Sequence, residues 1–184
     1  MKKLGFGCMR LPVLSKEDTT TIDLEQMCEM VDTFLDNGFT YFDTAYMYHN
    51  YMSERYVKLA LVDRHPRDSF LLADKLPTMQ LKAQKDVDRI FNEQLEKTGA
   101  GYFDYYLLLC LNVANYEAAE KYDCFHYVMQ KKAEGKIKHV GFSYHDNAEL
   151  LDEILTKHPE VEFVQLQLNY VDWDSDEIQS GKCY

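Results

Sequence analysis

Three side chains that could move a proton together stand at the ends of two predicted β-strands. Asp43 and Tyr48 follow the strand that starts at Phe39, and Lys75 follows the next strand along the chain. The ordinary pKa of a phenol is about 10, so a tyrosine needs help to act as an acid at lower pH. A nearby ammonium lowers that pKa, and a carboxylate can hold the ammonium in place. Tyr48, assisted by Lys75 and Asp43, is therefore predicted to donate a proton to a carbonyl oxygen.

Each of the three residues also has a simpler explanation when it is taken alone. Asp43 could cap a strand end, and Tyr48 is one of 14 tyrosines. Lys75 is harder to explain in this way, because a charged side chain within an apolar run needs a partner. The catalytic interpretation thus rests on the three residues occurring together in this order.

A strand followed by a helix recurs about every 30 residues, which is the length of a βαβ unit. Strict alternation of this kind indicates parallel strands joined by helical crossovers. The predicted strands are 4–9, 39–43, 69–74, 104–110, 137–142 and 163–169. The predicted helices are 24–37, 53–63, 85–98, 116–134 (ending before Gly135) and 147–157 (with Asp146 as N-cap).

The polar residues favour a barrel over an open doubly wound sheet. Asp43, Lys75, Ser143, Gln167 and Asn169 all lie at carboxyl ends of predicted strands, where barrel active sites are built. No G-x-G-x-x-G fingerprint for a dinucleotide follows the first strand. A closed (β/α)8 barrel has eight strands. We therefore predict an α/β fold, an incomplete (β/α)8 TIM barrel of about six strands and five helices, as one domain over residues 1–184.

Composition narrows the choice of partners. The formal net charge of -11 argues against nucleic acid or an anionic membrane as a partner, and no apolar run is long enough to span a bilayer. The five cysteines form no C-x-x-C pair, which favours free thiols in a reducing cytoplasm. The absence of a tight Cys or His cluster predicts no metal site.

The chain resembles the aldo/keto reductases along nearly its whole length. Residues 42–45 with Tyr48 are similar to the most recognisable signature of that family. Further matches in the same order are 5–12, Ser53 with Glu54, 74–77, 135–143 and 165–170. The segments 102–108 and 142–146 are similar to sequences of a bacterial branch of the family. Many members of that branch carry an iron–sulfur segment nearer the C-terminus.

The resemblance implies transfer of hydride from NADPH to an aldehyde or ketone. It makes Tyr48 the general acid, Lys75 the group that lowers its pKa, and Asp43 the partner of Lys75. Ser143 and Gln167 match positions that hold the nicotinamide carboxamide. Tyr144 stands where the family often has asparagine, so the chain departs from the family pattern at one amide contact.

Two departures from the family pattern predict impaired chemistry. Leu109 stands where the family has a catalytic histidine, and the last two βα units, which clamp the adenosine phosphate, have no counterpart. We expect weak NADPH binding and negligible turnover. Cys110 should not replace the histidine, since adjacent strand residues face opposite sides.

Two other functions remain open at this point. The chain could be a catalytically silent barrel fragment that needs a partner chain or associates with itself through the open edges of its first and last strands. The alternative to such association is that the segment 172–184 folds back over the last strand, so that the chain stays a monomer. A flavodoxin-like binding module fits the alternation of strands and helices but not the polar residues at the strand ends.

Overall fold

A computed structural model describes residues 2–176 and 179–184. Six parallel strands form one sheet in the order in which they occur along the chain. The strands are β1 (Gly5–Gly7), β2 (Tyr41–Asp43), β3 (Leu71–Leu76), β4 (Phe103–Leu111), β5 (Ile137–Tyr144) and β6 (Phe163–Leu166). The helices are α1 (Leu24–Asp36), α2 (Ser53–Val57), α3 (Lys85–Thr98), α4 (Val113–Lys121), α5 (Cys124–Ala133), α6 (Ala148–Lys157) and α7 (Ser180–Cys183).

Local signals explain where the main helices begin and end. α1 starts after Asp23, whose side chain accepts a hydrogen bond from the backbone of Gln26. α3 ends at Gly99, which takes the left-handed conformation with φ of 65° that glycine adopts most readily. The N-cap of α6 is Asn147, which accepts from the backbone of Leu150, rather than the predicted Asp146.

Two predicted helices differ from the observed ones. The prediction of one helix over 116–134 was wrong, because Asp123 takes a left-handed conformation with φ of 48° and separates α4 from α5. Aspartate tolerates this conformation better than most residues, so the break carries no glycine or proline signal. The predicted helix 53–63 is α2 continued by a π-helical turn, Lys58–Val62.

The sheet curls, so that one face becomes the inside of a partial barrel. Gln165 on β6 donates a 3.3 Å hydrogen bond to Asp43 on β2, although three strands lie between them in the sheet. Lower on the same face, the ring of Tyr105 packs against the rings of Tyr41, His139 and Phe163 at centroid distances of 5.0–5.4 Å. These contacts confirm the predicted α/β fold, an incomplete (β/α)8 barrel.

The opposite face of the sheet packs under the helices and forms the main core. Phe42, Leu72, Tyr106, Leu108 and Phe142 alternate with the inward-facing residues and are at most 1% exposed. Burial of this apolar surface is the main favourable term in folding. It holds the strand ends, and with them the polar residues at those ends, in fixed positions.

The C-terminal segment returns to the carboxyl ends of β5 and β6. Ser180 donates its hydroxyl to the carbonyl of Gln167, and the thiol of Cys183 lies 3.3 Å from the carbonyl of Asp146. The backbone of Gly181 donates to the carbonyl of Trp173 at 3.0 Å. Within the described residues, no helix is long and apolar enough to cross a membrane.

Candidate active site

Lys75 is the buried centre of the candidate site. It lies on β3 and is 1% exposed. Its ammonium pairs with the carboxylate of Asp43, donates to the carbonyl of Thr44 at 2.8 Å, and lies 3.3 Å from the hydroxyl of Tyr48. The structure therefore brings together the three residues predicted to move a proton.

Charge balance explains how Lys75 can be buried. Burial acts to lower the pKa of the ammonium, but the neighbouring Asp43 carboxylate outweighs this, and the pKa of Lys75 lies above its ordinary value. Lys75 is thus protonated at neutral pH. A permanent positive charge next to the Tyr48 hydroxyl follows from this arrangement.

The pKa of Tyr48 differs from the expectation. Burial raises the pKa of this phenol more than Lys75 lowers it, and Asp43 raises it further, so the pKa lies above its ordinary value. Lys75 therefore lowers the pKa of Tyr48, as expected, but this effect is smaller than the increase that burial causes. In this structure Tyr48 is a protonated phenol, a form that can donate a proton but does so less readily than a phenol of lowered pKa.

Ser143 lies on the inward face at the end of β5 and is 4% exposed. Its hydroxyl oxygen accepts a 2.7 Å hydrogen bond from the backbone of Cys110. Because a hydroxyl can accept and donate at once, Ser143 retains the capacity to donate to a ligand. Its register partner on β6 is Gln165, so the two side chains share one face of the sheet.

Gln165 is a site residue that the sequence reasoning missed. Its side chain reaches Asp43, whereas Gln167 lies beyond the end of β6 and is exposed. Counting alternate residues back from Asn169 does not separate the two glutamines, because both fall on the same face. Only the register with Ser143 and the end of the strand at Leu166 distinguish them. The role of Gln167 as a cofactor ligand stays a prediction.

Leu109 occupies the inward face of β4. Leu107 pairs in register with Lys75, and neither Leu107 nor Leu109 belongs to the main core cluster that holds Leu108 and Leu111. Leu109 is 7% exposed, so an apolar side chain fills this part of the site. The strand is irregular after Leu108, and Cys110 takes a left-handed conformation with φ of 55°. This irregularity breaks the simple alternation on which the expectation for Cys110 rested.

A second group of buried ionisable residues lies behind Lys75, on the helix side of β3. Asp74 and Glu54 are both 0% exposed, and the ammonium of Lys97 lies 3.2 Å from Glu54. Burial, followed by the nearby Glu54 carboxylate, raises the pKa of Asp74 well above its ordinary value. Burial therefore favours the neutral form of Asp74, and in that form it can donate its proton to Glu54. Both residues lie in segments that match the family pattern, but no sequence pattern indicated that Asp74 and Glu54 would meet as a buried pair.

Comparison with known proteins agrees with this arrangement. A sequence profile described as the Aldo/keto reductase family matches residues 3–183. The chain belongs to the aldo/keto reductase family. A comparison with curated protein sequences found no match.

Solved aldo/keto reductases share the fold. Aldo-keto reductase AKR11C1 from Bacillus halodurans, in its holo form, is 24% identical with a TM-score of 0.67 over 90% of this chain and 53% of that chain. The thermostable aldo-keto reductase Tm1743 with the inhibitor epalrestat is 23% identical, with a TM-score of 0.72 over 98% of this chain and 62% of that one. An aldo-keto reductase from Klebsiella pneumoniae with NADPH is 22% identical, with a TM-score of 0.67 over 95% and 58%. This chain thus spans between half and two thirds of the length of these relatives.

Proposed function

We propose that Asp43, Tyr48 and Lys75 form the proton-donating centre of an NADPH-dependent reduction of a small aldehyde or ketone. The observation that carries the proposal is the buried ammonium of Lys75 between the Asp43 carboxylate and the Tyr48 hydroxyl. Membership in the aldo/keto reductase family supports an oxidoreductase. The position of the centre at the carboxyl ends of barrel strands supports the same conclusion.

The inward face carries groups that fit a nicotinamide carboxamide. The Ser143 hydroxyl can donate to an amide oxygen, and the side-chain oxygen of Gln165 can accept from an amide nitrogen. Gln167, at the carboxyl end of the same strand, is the further ligand expected from the family resemblance. The solved relative from Klebsiella pneumoniae holds NADPH, which supports this cofactor for the present chain.

The residues of this chain would act on the proton rather than on the hydride. Bound NADPH would supply the hydride to the carbonyl carbon. Tyr48 would donate its proton to the oxygen of the substrate, and the positive charge of Lys75 would stabilise the phenolate that remains. Asp43 would hold Lys75 in place. The free thiols of all five cysteines support a reducing compartment such as the cytoplasm for this chemistry.

Leu109 limits the expected rate. A leucine cannot donate a hydrogen bond to a developing oxyanion, and removal of one such donor typically costs 10²–10³ in rate. We therefore expect turnover far below that of an enzyme with a complete donor set, in addition to the weak NADPH binding that the family resemblance predicts. A catalytically silent fragment is the second candidate function, and the burial of Leu109 and the raised pKa of Tyr48 favour it.

A sensitive assay of NADPH oxidation with simple aldehydes tests the proposal. We expect a slow rate that the purified Tyr48→Phe variant loses, with Tyr122→Phe, a tyrosine between α4 and α5, as the matched control. Equal rates in wild type and Tyr48→Phe would refute the proposed centre. Turnover by wild type at rates ordinary for the family would instead refute the argument from Leu109.

A further inference from the structure

The turn that follows Tyr48 has an unusual backbone. His49, Asn50 and Tyr51 have φ angles of 50°, 52° and 69°, so three consecutive residues other than glycine lie in the left-handed region. Histidine and asparagine enter this region more often than most residues, but a bulky tyrosine rarely does. Such a run costs free energy and persists only where surrounding contacts hold it.

The imidazole of His49 provides two of these contacts. Its Nε2 accepts a 2.9 Å hydrogen bond from the backbone N–H of Leu11, and its Nδ1 lies 2.8 Å from the carbonyl oxygen of Thr19. Both partners belong to the segment after β1, in which Val13 and Ile22 pair as an antiparallel bridge. The ring therefore ties the turn after Tyr48 to both arms of a neighbouring hairpin-like segment.

The two partners together determine the protonation state of the ring. A carbonyl oxygen can only accept, so Nδ1 must carry a proton. A backbone N–H can only donate, so Nε2 must carry none. Both hydrogen bonds exist only in the neutral Nδ1–H tautomer. A second proton on the ring would place an N–H group against the N–H of Leu11 and break that contact.

We propose that neutral His49 is a positioning residue for Tyr48, holding the left-handed turn against the segment after β1 and releasing it when the ring is protonated. The catalytic part of this proposal rests on the proposed role of Tyr48. The backbone N–H of Tyr48 donates to the carbonyl of Ala45 at 3.1 Å, and the carbonyl of Tyr48 accepts from the backbone N–H of Ser53 at 3.2 Å. His49, directly after it, links this loop to the segment after β1, while Tyr51 in the same turn accepts a 3.1 Å hydrogen bond from Gln80.

Charged groups around the turn define the surroundings of the ring. The carboxylate of Glu17 accepts from Ser15, and that of Asp18 accepts from Thr20, so both have partners within their own segment. The charged groups on the elements that meet at the turn are Arg10, Lys16, Glu17, Asp18 and Asp23 after β1, Glu54 and Arg55 directly after the turn, and Asp43 and Lys75 behind Tyr48. Both nitrogens of His49 contact backbone groups, so a proton added to Nε2 breaks the contact with Leu11.

The tautomer can be measured directly on the full chain. Two-bond ¹H–¹⁵N spectra of protein labelled at histidine nitrogens distinguish the Nδ1–H from the Nε2–H form. We expect His49 in the Nδ1–H form near pH 8. Acidification should then accelerate hydrogen exchange of the Leu11 amide relative to other amides, and shift the ring resonances of Tyr48. An Nε2–H tautomer, or unchanged Tyr48 resonances after protonation of His49, would overturn the proposal.

Two variants separate positioning from general stability. His49→Gln keeps one donor and one acceptor but cannot titrate, so the Leu11 amide should stay protected at all pH values. His49→Phe keeps a ring without nitrogens, and exchange of that amide should be about tenfold faster, as expected from loss of one hydrogen bond. His126→Gln, at an exposed histidine on α5, is the matched control. Unaltered Leu11 exchange in His49→Phe would contradict the proposal.

The same variants connect the turn to catalysis. If Tyr48 is the proton donor, the rate of NADPH-dependent carbonyl reduction should fall at acid pH in wild type, and His49→Gln should lack that part of the acid limb. If the tautomer and exchange results hold while no reduction is detected, only the proposed function fails. If reduction depends on Tyr48 but its pH profile is the same in His49→Gln, His49 has no positioning role.

Discussion

At the scale of single residues, the charge on Lys75 decides what Tyr48 can do. The ammonium is 3.3 Å from the phenol oxygen and stabilises the phenolate, while burial opposes the same ionisation. The net result is a phenol that keeps its proton to a higher pH than a free tyrosine. Reduction that uses Tyr48 as the acid should therefore persist through the neutral range, and ionisation of Tyr48 should reduce the rate only at strongly alkaline pH.

Leu109 provides a residue-scale prediction. We expect Leu109→His to increase NADPH-dependent reduction by far less than the 10²–10³ that one donor contributes in an intact site. The added imidazole supplies one donor but adds nothing to cofactor binding, and binding energy is needed to reach the transition state. Leu155→His, at a half-exposed position on α6, controls for the added histidine. Steady-state NADPH oxidation compares the variants, and recovery of strong activity would show that the cofactor site is adequate.

At the scale of elements, α2 and β3 meet through the acid pair Glu54 and Asp74. Both side chains are fully buried, and Lys97 supplies one positive charge. One shared proton leaves the pair with a single negative charge, which Lys97 balances. An ionised Asp74 would add an uncompensated buried charge, and such charges are strongly unfavourable.

The acid pair predicts that Asp74→Asn stabilises the protein at neutral pH. The folded state holds a proton on Asp74 that the unfolded state releases above pH 4 or so. The unfolded state then binds fewer protons, so the free energy of unfolding of the wild type falls as pH rises through the folded pKa. Asparagine has no proton to release, and its amide can still donate to Glu54. We expect a gain on the order of 1 kcal/mol at pH 8.

Urea denaturation at pH 5.5 and pH 8 measures this effect, with a larger gain expected at the higher pH. Asp152→Asn, at an exposed position on α6, is the matched control and should leave stability unchanged at both values. If Asp74→Asn destabilised the protein equally at both pH values, Asp74 would be ionised in the fold and the shared proton would not exist.

Most elements could be predicted from sequence because their signals are local. α3 occupies the predicted 85–98, since apolar periodicity and Gly99 define it. The break at Asp123 and the irregularity after Leu108 could not be predicted, because residues other than glycine adopt left-handed conformations there. The contact of Gln165 with Asp43 depends on how far the sheet curls, which no local pattern records.

At the scale of the whole molecule, β1 and β6 are the two ends of the sheet, as predicted. The leucines on and just after the strands of this sheet differ in exposure. Leu107 and Leu109 are buried, whereas Leu168 after β6 is 45% exposed. The contacts of α7 reach the carboxyl ends of β5 and β6. These contacts indicate that the described part of the segment 172–184 covers the carboxyl ends of these strands rather than the open edge of β6.

We therefore predict that the 184-residue chain forms dimers or larger assemblies through its open edges. Sedimentation at several concentrations should show a weight-average mass that rises with concentration. Leu168→Lys should reduce this association, since it places a charge on an exposed apolar residue beside β6, whereas Leu155→Lys on α6 should not. A monomer at all concentrations, with cooperative unfolding, would contradict this prediction and favour a self-contained sheet.

The coupling between Lys75 and Tyr48 is the central claim, and titration of the Tyr48 ring carbon by ¹³C NMR tests it most directly. The matched control is Lys121→Met, because Lys121 lies 5.1 Å from the ring of Tyr122 while Lys75 lies 5.0 Å from the ring of Tyr48. We predict that the pKa of Tyr48 lies above its ordinary value in wild type and in Lys121→Met, and rises further in Lys75→Met. A Tyr48 pKa that stays the same when Lys75 is replaced would contradict the account.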